Sequence, residues 1–156
     1  MPAGSEPVQV SVPRTWRPMG PRIAGLVAGA VLVLMMVLLW IGFDDATRES
    51  VTPFQRGTVV GLGVLIGVGI HALIRCRAVA DRDGLTVVNG YRSRRFAWEQ
   101  IVGVHLPPGA PWVTLDLTDG TTVSVMGIQG SDGQRARTAV RELRWLVDRP
   151  DAPRDR

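Results

Sequence analysis

The chain has 156 residues, 46% of them apolar, and a formal net charge of +4 in which all 18 basic residues are arginine. Much of the apolar content lies before residue 75, so the remainder is enough for one small domain with a modest core. Cys76 is the sole cysteine, which excludes an internal disulfide bond and a cysteine-based metal cluster.

The N-terminal segment, residues 1–21, contains several prolines and little apolar periodicity. Such a segment cannot bury enough apolar surface to fold alone, so the sequence predicts a disordered tail. The last residues, 149–156, have the same character and are also predicted to be disordered.

Two uncharged apolar blocks occupy most of residues 22–75. The first, 23–43, has 21 residues, and at about 1.5 Å per residue it spans about 30 Å, the thickness of the hydrocarbon core of a membrane. The second, 57–74, has 18 residues and is just long enough to span. Because the connection over 44–56 is short, the sequence predicts a two-helix transmembrane hairpin. A cleaved signal peptide fits less well, since the first block is long and a second block follows it.

Arginine is enriched on both outer flanks of the hairpin. Three arginines precede the first block, namely Arg14, Arg17 and Arg22. Three follow the second block, namely Arg75, Arg77 and Arg82. The connection contains two, Arg48 and Arg56. By the positive-inside rule, both termini are predicted to be cytoplasmic, in a protein that crosses the cell membrane twice.

Glycines in the two blocks recur at four-residue spacing, which places small residues on one helix face where two backbones can approach closely. They are Gly25, Gly29, Gly57, Gly61, Gly63 and Gly67. Packing within the hairpin and packing between two copies of the chain both remain open. His71 is the only ionisable group inside either block, and its place one turn before Arg75 favours a solvated side chain at the membrane interface.

After residue 75 the apolar pattern changes to the alternation typical of β-strands. Strands are predicted over 76–81, 85–89, 95–98, 102–106, 113–117 and from 123 onward. In the fourth of these, Val102, Val104 and Leu106 are expected to share one face. Asp119-Gly120 predicts a two-residue hairpin turn before the last strand.

The period then becomes that of a helix. One apolar stripe is formed by Ala136, Ala139, Val140, Leu143, Leu146 and Val147. Ser131 and Gln134 are spaced as a capping box at the start of this helix. Trp98 and Leu115 are expected to be buried on the inner face of the sheet.

Several short sequence words accompany this order of strands and helix. They are Asp83-Gly84-Leu85, Arg94 to Trp98 before Ile101, Pro111-Trp112, Leu115 to Leu117, Asp119-Gly120, and Gly127-Ile128-Gln129 with Asp132-Gly133. In this order they resemble the bacterial pleckstrin-homology (PH-like) domain family, and within it the actinobacterial branch called low-molecular-weight protein antigen 6.

The resemblance covers residues 75–147. It implies a membrane α-hairpin followed by an α+β, mainly β, domain over 76–148, built as a strongly bent antiparallel sheet closed at one end by the final helix. It implies no catalytic residues, and members of this branch often carry a preceding membrane hairpin.

The sequence predicts no catalytic, cofactor or metal site. The two histidines, His71 and His105, lie in different elements, and the glycine-rich second block lacks the Gly-Lys-Ser/Thr ending of a phosphate-binding loop. Acidic residues fall mostly in turns, where hydrogen bonds from the side chain to the backbone explain them. Aromatic residues near the arginines are too few for a nucleic-acid-binding surface, so no nucleic-acid partner is expected.

One basic cluster stands out. Tyr91-Arg92-Ser93-Arg94-Arg95 places three arginines in a predicted five-residue turn. A solvated hairpin tip is the simpler interpretation. The alternative is that Arg92, Arg94 and Arg95 contact anionic lipid, because the cytoplasmic leaflet beside the domain is negatively charged.

Three functions follow as hypotheses. The leading one is a non-enzymatic, membrane-anchored interaction or scaffold module at the cytoplasmic face, which holds a protein partner or a second copy of itself. The second is an anionic-lipid-sensing module, motivated by the arginine cluster. The third is an accessory subunit of a membrane transport or secretion complex, motivated by the glycine faces and His71. Fold alone does not choose among them.

Overall fold

A computed structural model describes residues 10–148, so the predicted tails over 1–9 and 149–156 lie outside the described residues. The chain divides into two compact units. Residues 19–75 form a helical hairpin. Residues 10–18 join residues 76–148 in the second unit, which we call the domain.

The hairpin consists of α1 (Gly20–Gly42) and α3 (Pro53–Arg75), with a short helix, α2 (Asp45–Ser50), between them. Both long helices begin earlier than the predicted blocks, and each has a proline in its first turn, where the missing N–H is not needed. Both are long and apolar enough to cross a membrane, and none of their residues is buried.

The connection between the long helices is held by side chains. Asp44 caps α2 by accepting a hydrogen bond from the backbone N–H of Thr47 at 3.2 Å. The guanidinium of Arg48 donates to the carbonyl oxygens of Trp40, at 3.2 Å, and Ile41, at 2.8 Å. These carbonyls lie in the last turn of α1, where no intrahelical donor remains. Arg48 therefore stabilises the end of the first helix.

Within residues 10–18 and 76–148, the domain contains two antiparallel sheets and one α-helix. The first sheet has the order β1 (Arg14–Trp16), β2 (Arg77–Ala80), β3 (Gly84–Asn89), β4 (Arg92–Ala97). The second has the order β5 (Ile101–His105), β6 (Trp112–Leu117), β7 (Thr122–Gln129), and α4 (Gln134–Val147) follows. Two apolar helices, then antiparallel sheets, then a C-terminal helix is the fold class that the sequence predicts.

The first strand lies in the segment predicted to be a disordered tail, so that prediction is wrong over Arg14–Trp16. Three residues cannot form a strand alone. β1 exists because it pairs antiparallel with β2, with Thr15 opposite Val79, and because the side chain of Trp16 is buried in the core. Its partner strand lies beyond the whole hairpin in sequence, which is why no local pattern reveals it.

The prediction that Trp98 is buried on the inner sheet face is also wrong. β4 ends at Ala97, and Trp98 opens a 3₁₀ turn, half-buried at the margin of the core. Its indole N–H donates to the carbonyl oxygen of Asp81 at 3.2 Å. This hydrogen bond explains why the N–H edge of the ring is directed away from the core. Leu115 is fully buried, as predicted.

The predicted alternation in the fourth strand fails at one residue. Ile101 and Val104 are buried, whereas Val102 is 62% exposed. The pairing of β5 with β6 shifts register between Ile101 and Gly103. A β-bulge at this place adds one residue and reverses the direction of the side chains that follow it.

The C-terminal helix confirms the predicted apolar stripe. Ala136, Ala139, Val140 and Leu143 are buried, and Leu146 and Val147 pack partly buried against the core. The predicted capping box does not form. Gly133, with φ of +58°, precedes the helix and makes no side-chain cap, because the chain enters α4 from the 3₁₀ turn Gly130–Asp132.

The two sheets meet where β7 passes close to β2 and β3. The side-chain amide of Asn89 bridges the strands: its nitrogen donates to the carbonyl oxygen of Ser124 at 2.6 Å, and its oxygen accepts from the N–H of Met126 at 3.0 Å. A Cβ atom at Gly127 would lie 2.5 Å from the backbone carbonyl carbon of Arg77. The junction therefore requires glycine at this position.

Replacing Gly127 with alanine is expected to lower the free energy of unfolding by about 1–3 kcal/mol, because the strands must separate to admit the methyl group. Urea denaturation of the full-length chain in detergent would measure the change. Ser124→Ala, on the same strand, serves as the control and should change stability by less than about 0.5 kcal/mol. Equal stability of the two variants would contradict the close contact.

Candidate functional site

The basic cluster lies on a strand, and the predicted five-residue turn is wrong. The turn between β3 and β4 consists of Gly90 and Tyr91, and Asn89 pairs directly with Arg92. Gly90 has φ of +61°, a conformation that closes a hairpin in two residues and that glycine adopts without a steric penalty. The arginines therefore follow the alternation of a strand.

This alternation separates the three arginines. Arg92 and Arg94 share the face of β4 that also carries Phe96, whereas Arg95 points to the opposite face. There its guanidinium lies 3.0 Å from a carboxylate oxygen of Asp81 and 3.6 Å from one of Asp83. Arg92, Arg94 and Arg95 are exposed, but they do not form one surface.

The register of the first sheet defines its two ends. Trp16 pairs with Ala78, and Asn89 with Arg92, so the turn at Gly90–Tyr91 lies at the end where β1 leads toward α1 and β2 follows α3. We call this the hairpin end. The turn that joins β2 to β3, residues 81–83, lies at the opposite end, which we call the distal end.

The acidic residues of the turns are engaged with the backbone, as the sequence predicts. A carboxylate oxygen of Asp81 accepts from the N–H groups of Asp83 and Gly84, each at 3.0 Å. Asp119 accepts from the N–H of Thr121 at 2.8 Å and from its hydroxyl at 2.7 Å. These hydrogen bonds lower the pKa of Asp119. Such carboxylates shape turns.

A second cluster, which the sequence analysis missed, joins β1 to α4. The carboxylate of Glu142 accepts from the indole N–H of Trp16 at 2.8 Å and from two nitrogens of Arg14 at 2.9 and 3.2 Å. One acidic residue thus holds an aromatic anchor and a bidentate guanidinium. The feature of the sequence that could have indicated this cluster is Trp16, a large aromatic residue in a polar, proline-containing segment.

The remaining candidate groups do not assemble into a reaction centre. His105 and Asp116 form an exposed pair with Nε2 2.7 Å from a carboxylate oxygen, on neighbouring strands. His71 lies in the hairpin, and the thiol of Cys76 is buried and accepts a hydrogen bond from the N–H of Gly90 at 3.2 Å. Within residues 10–148, no group of three His, Cys, Asp or Glu side chains could hold a metal ion.

The glycines of the hairpin fall into two classes. Cβ atoms placed on Gly25 and Gly29 of α1 would lie 3.4 and 3.2 Å from the side chain of Ile70 on α3, so these two allow the helices to pack together. Five glycines of α3 have no such neighbour within 4 Å: Gly57, Gly61, Gly63, Gly67 and Gly69. The sequence pattern does not distinguish these classes.

Residues 75–145 match the family model described as Bacterial PH domain. The domain is similar to bacterial PH domains over these residues. Uncharacterised proteins of Mycobacterium bovis and Mycobacterium tuberculosis are each 28% identical over 134 residues, which cover 86% of this chain and 85% of each relative. A human mitochondrial ubiquinone biosynthesis monooxygenase is 27% identical over 111 residues, but the match covers only 23% of the human protein. No solved structure matches the chain at a significant level.

These matches confirm the predicted resemblance to bacterial PH-like domains and to actinobacterial proteins, while the narrower branch stays a prediction. The similarity to the mycobacterial proteins is longer than the PH domain, so it includes much of the hairpin. The family match begins at residue 75 and leaves out β1. In this chain the sheet that contains the matched residues is extended by a strand that precedes the hairpin.

Proposed function

We propose that this protein is a non-enzymatic, membrane-anchored interaction module, in which a two-span hairpin holds a PH domain at the cytoplasmic face of the cell membrane. The observation that carries the proposal is the pairing of β1 with β2. One strand precedes the two apolar helices, the other follows them, and both belong to one sheet.

This pairing restricts how the chain crosses a membrane. Two hydrogen-bonded strands lie on the same side of a bilayer, so the segment between them crosses an even number of times. That segment contains two helices long and apolar enough to span. Two crossings satisfy both conditions, while a single crossing would separate β1 from β2. The arginines that flank the outer ends of the helices favour the cytoplasmic side for the PH domain.

The proposal assigns binding and no reaction to the PH domain. Within the described part of the chain, Asp81 and Asp119 shape turns, Glu142 holds β1, and His105 pairs with Asp116. None of these groups is arranged as a nucleophile with a base. The glycines of α3 that have no neighbour in the hairpin support association with a further helix, from a protein partner or a second copy. The same glycines are also the basis of a second hypothesis, in which this protein is an accessory subunit of a membrane transport or secretion complex.

Labelling of single cysteines in intact cells tests the topology. In a Cys76→Ser background, Thr47→Cys in the connection should react with a membrane-impermeant maleimide, and Ser131→Cys in the PH domain should react only after the cells are opened. The reason is that Thr47 lies between the two spans and Ser131 lies beyond them. Labelling of Ser131→Cys in intact cells would contradict the cytoplasmic assignment.

Crosslinking in native membranes, followed by affinity capture of the full-length protein, tests the binding role. A specific crosslinked partner or a dimer is expected, and Gly63→Leu with Gly67→Leu should reduce it if the contact uses α3. Gly25→Leu with Gly29→Leu is the matched comparison, since it disturbs packing inside the hairpin. Absence of any crosslinked product from the unmodified protein would count against an interaction module.

A further inference from the structure

The helical hairpin contains an open cavity at the end where its connection lies. The volume of this cavity is about 590 Å³. Small-molecule sites in proteins typically measure about 300–1,000 Å³. The walls come from side chains within 36–43, at the end of α1, and within 51–60, just before and at the start of α3. All of these residues belong to the hairpin, so one compact unit forms the cavity.

The cavity results from an ordered connection. The two α1 glycines that contact Ile70 lie toward the opposite end of the hairpin, where the long helices approach closely. At the connection end, residues 43–52 separate the long helices and include α2. Besides the hydrogen bonds of Arg48 to the end of α1, the guanidinium of Arg56 donates to the carbonyl oxygen of Arg48 at 3.0 Å. These bonds hold the segment that keeps the helix ends apart.

The wall of the cavity is apolar, with a cation beside it. The polar side chains among the lining residues are those of Gln55 and Arg56. The guanidinium carbon of Arg56 lies 5.3 Å from the centre of the Trp40 ring, which is close enough for a cation–π interaction. The side-chain oxygen of Gln55 accepts from the N–H and the hydroxyl of Thr52, at 2.9 and 3.2 Å, and its NH₂ group remains a donor. Both polar side chains can therefore donate to a ligand, and one is permanently charged.

The carboxylates of the connection do not neutralise this charge. None of its acidic residues lines the cavity: Asp44, Asp45 and Glu49. Asp44 caps α2, and Asp45 lies 3.5 Å from Arg48. Among residues 10–148, Arg56 has no ion-pair partner. An apolar cavity beside such a cation fits a molecule with a long apolar part and an anionic end.

The position of the cavity favours a lipid over a second copy of the chain. Neither long helix contains an acidic residue, so the helices of a second copy offer no anion to Arg56. A phospholipid supplies both an acyl chain and a phosphate. If the helices span a membrane, Arg56 lies in the first turn of α3, and Trp40 and Phe43 lie at the end of α1. Aromatic residues are enriched at this depth, where the headgroups meet the hydrocarbon core.

We propose that this cavity is a phospholipid-binding site, in which one acyl chain occupies the apolar space and Arg56 binds the phosphate. The proposal rests on the proposed function, because it requires the hairpin to lie in a membrane. A guanidinium donates two parallel hydrogen bonds to a phosphate, which gives Arg56 a specific role beyond charge. The bound lipid would fill the space between the two long helices and stabilise the connection.

The test titrates phosphatidylglycerol into the delipidated full-length protein in detergent and counts bound lipids by native mass spectrometry. One lipid per chain is expected to bind ahead of any others. Arg56→Gln should raise the Kd about tenfold, because it removes a charged donor to the phosphate. Arg22→Gln, at the opposite end of the hairpin, is the matched control and should leave the Kd unchanged. Diacylglycerol, which has the acyl chains without the phosphate, should bind about tenfold more weakly.

A second pair of variants tests the apolar part of the site. Val60 lines the cavity, so Val60→Trp should fill it and raise the Kd about tenfold. Val64→Trp is the control, since Val64 lies one turn further along α3, is 59% exposed and does not line the cavity. Circular dichroism checks helix content, and if Arg56→Gln loses helix, diacylglycerol and the tryptophan pair decide. Absence of a one-to-one complex, or equal Kd values within either pair of variants, would overturn the proposal.

Extraction of native membranes with alkaline carbonate tests the anchor separately. Release of the protein from the membrane would remove the proposed function, and this site with it. Retention of the protein without a one-to-one lipid complex would remove this site alone.

Discussion

Trp16→Ala is expected to lower the free energy of unfolding by about 3–5 kcal/mol. The indole is 7% exposed, packs in the main core and donates a hydrogen bond to Glu142 at 2.8 Å. Its loss removes apolar contact and leaves the carboxylate of Glu142 with one donor fewer. β1 has only three residues, so we also expect it to detach from β2.

Two measurements separate these effects. Chemical denaturation of the full-length chain in detergent gives the change in stability, and hydrogen exchange at the amides of β2 reports whether β1 has detached. Thr15→Ala, on the same strand with an exposed side chain, is the control and should change stability by less than about 0.5 kcal/mol. Trp16→Phe keeps most of the ring but loses the hydrogen bond to a charged group, so about 1.5–3 kcal/mol is expected. Equal stability of the Trp16→Ala and Thr15→Ala variants would contradict β1 as a structural strand.

Leu115→Ala is expected to cost about 2–5 kcal/mol, because it opens a cavity in the centre of the domain. Leu115 is fully buried on β6, the middle strand of the second sheet. Small domains are stable by only about 5–15 kcal/mol, so this loss is a large fraction of the free energy of unfolding. Thermal melting followed by near-ultraviolet circular dichroism would measure the loss.

Val102→Ala is the matched comparison for Leu115. Val102 is 62% exposed beside the bulge of β5, so its truncation should change stability by less than about 0.5 kcal/mol. A larger loss from Val102→Ala than from Leu115→Ala would mean that the strand is shifted by one residue, since such a shift exchanges the two faces of a strand.

The sequence predicts well those features that depend on neighbouring residues. The length and composition of the apolar blocks indicate α1 and α3, and the stripe from Ala136 to Val147 indicates α4. Both signals are contained in a single segment. The order of the strands along the chain could also be predicted, because β-branched runs indicate the strands and Asp119-Gly120 indicates the turn before the last one.

The features that were missed depend on distant partners or on one backbone angle. β1 is a strand only because β2 offers it an edge and Glu142 holds its side chains. The bulge near Gly103 is determined by pairing with β6. The arginines separate into two faces because Gly90 closes the turn in two residues. The first two cannot be inferred from composition or local spacing, whereas Asn89-Gly90 is a local signal for a tight turn.

The pairing of β1 with β2 also has a consequence for synthesis on the ribosome. Thr15 and Val79 are partners 64 positions apart, so at about 5–20 residues per second β1 waits several seconds for its neighbour to be made. The hairpin is translated within that interval. A nascent chain that placed only one of the two helices in the membrane would leave β1 and β2 on opposite sides, and its sheet could not close. If the helices insert as proposed, completion of the sheet distinguishes chains with both helices in the membrane from chains with only one, and the latter would expose the edge of β2 to proteases.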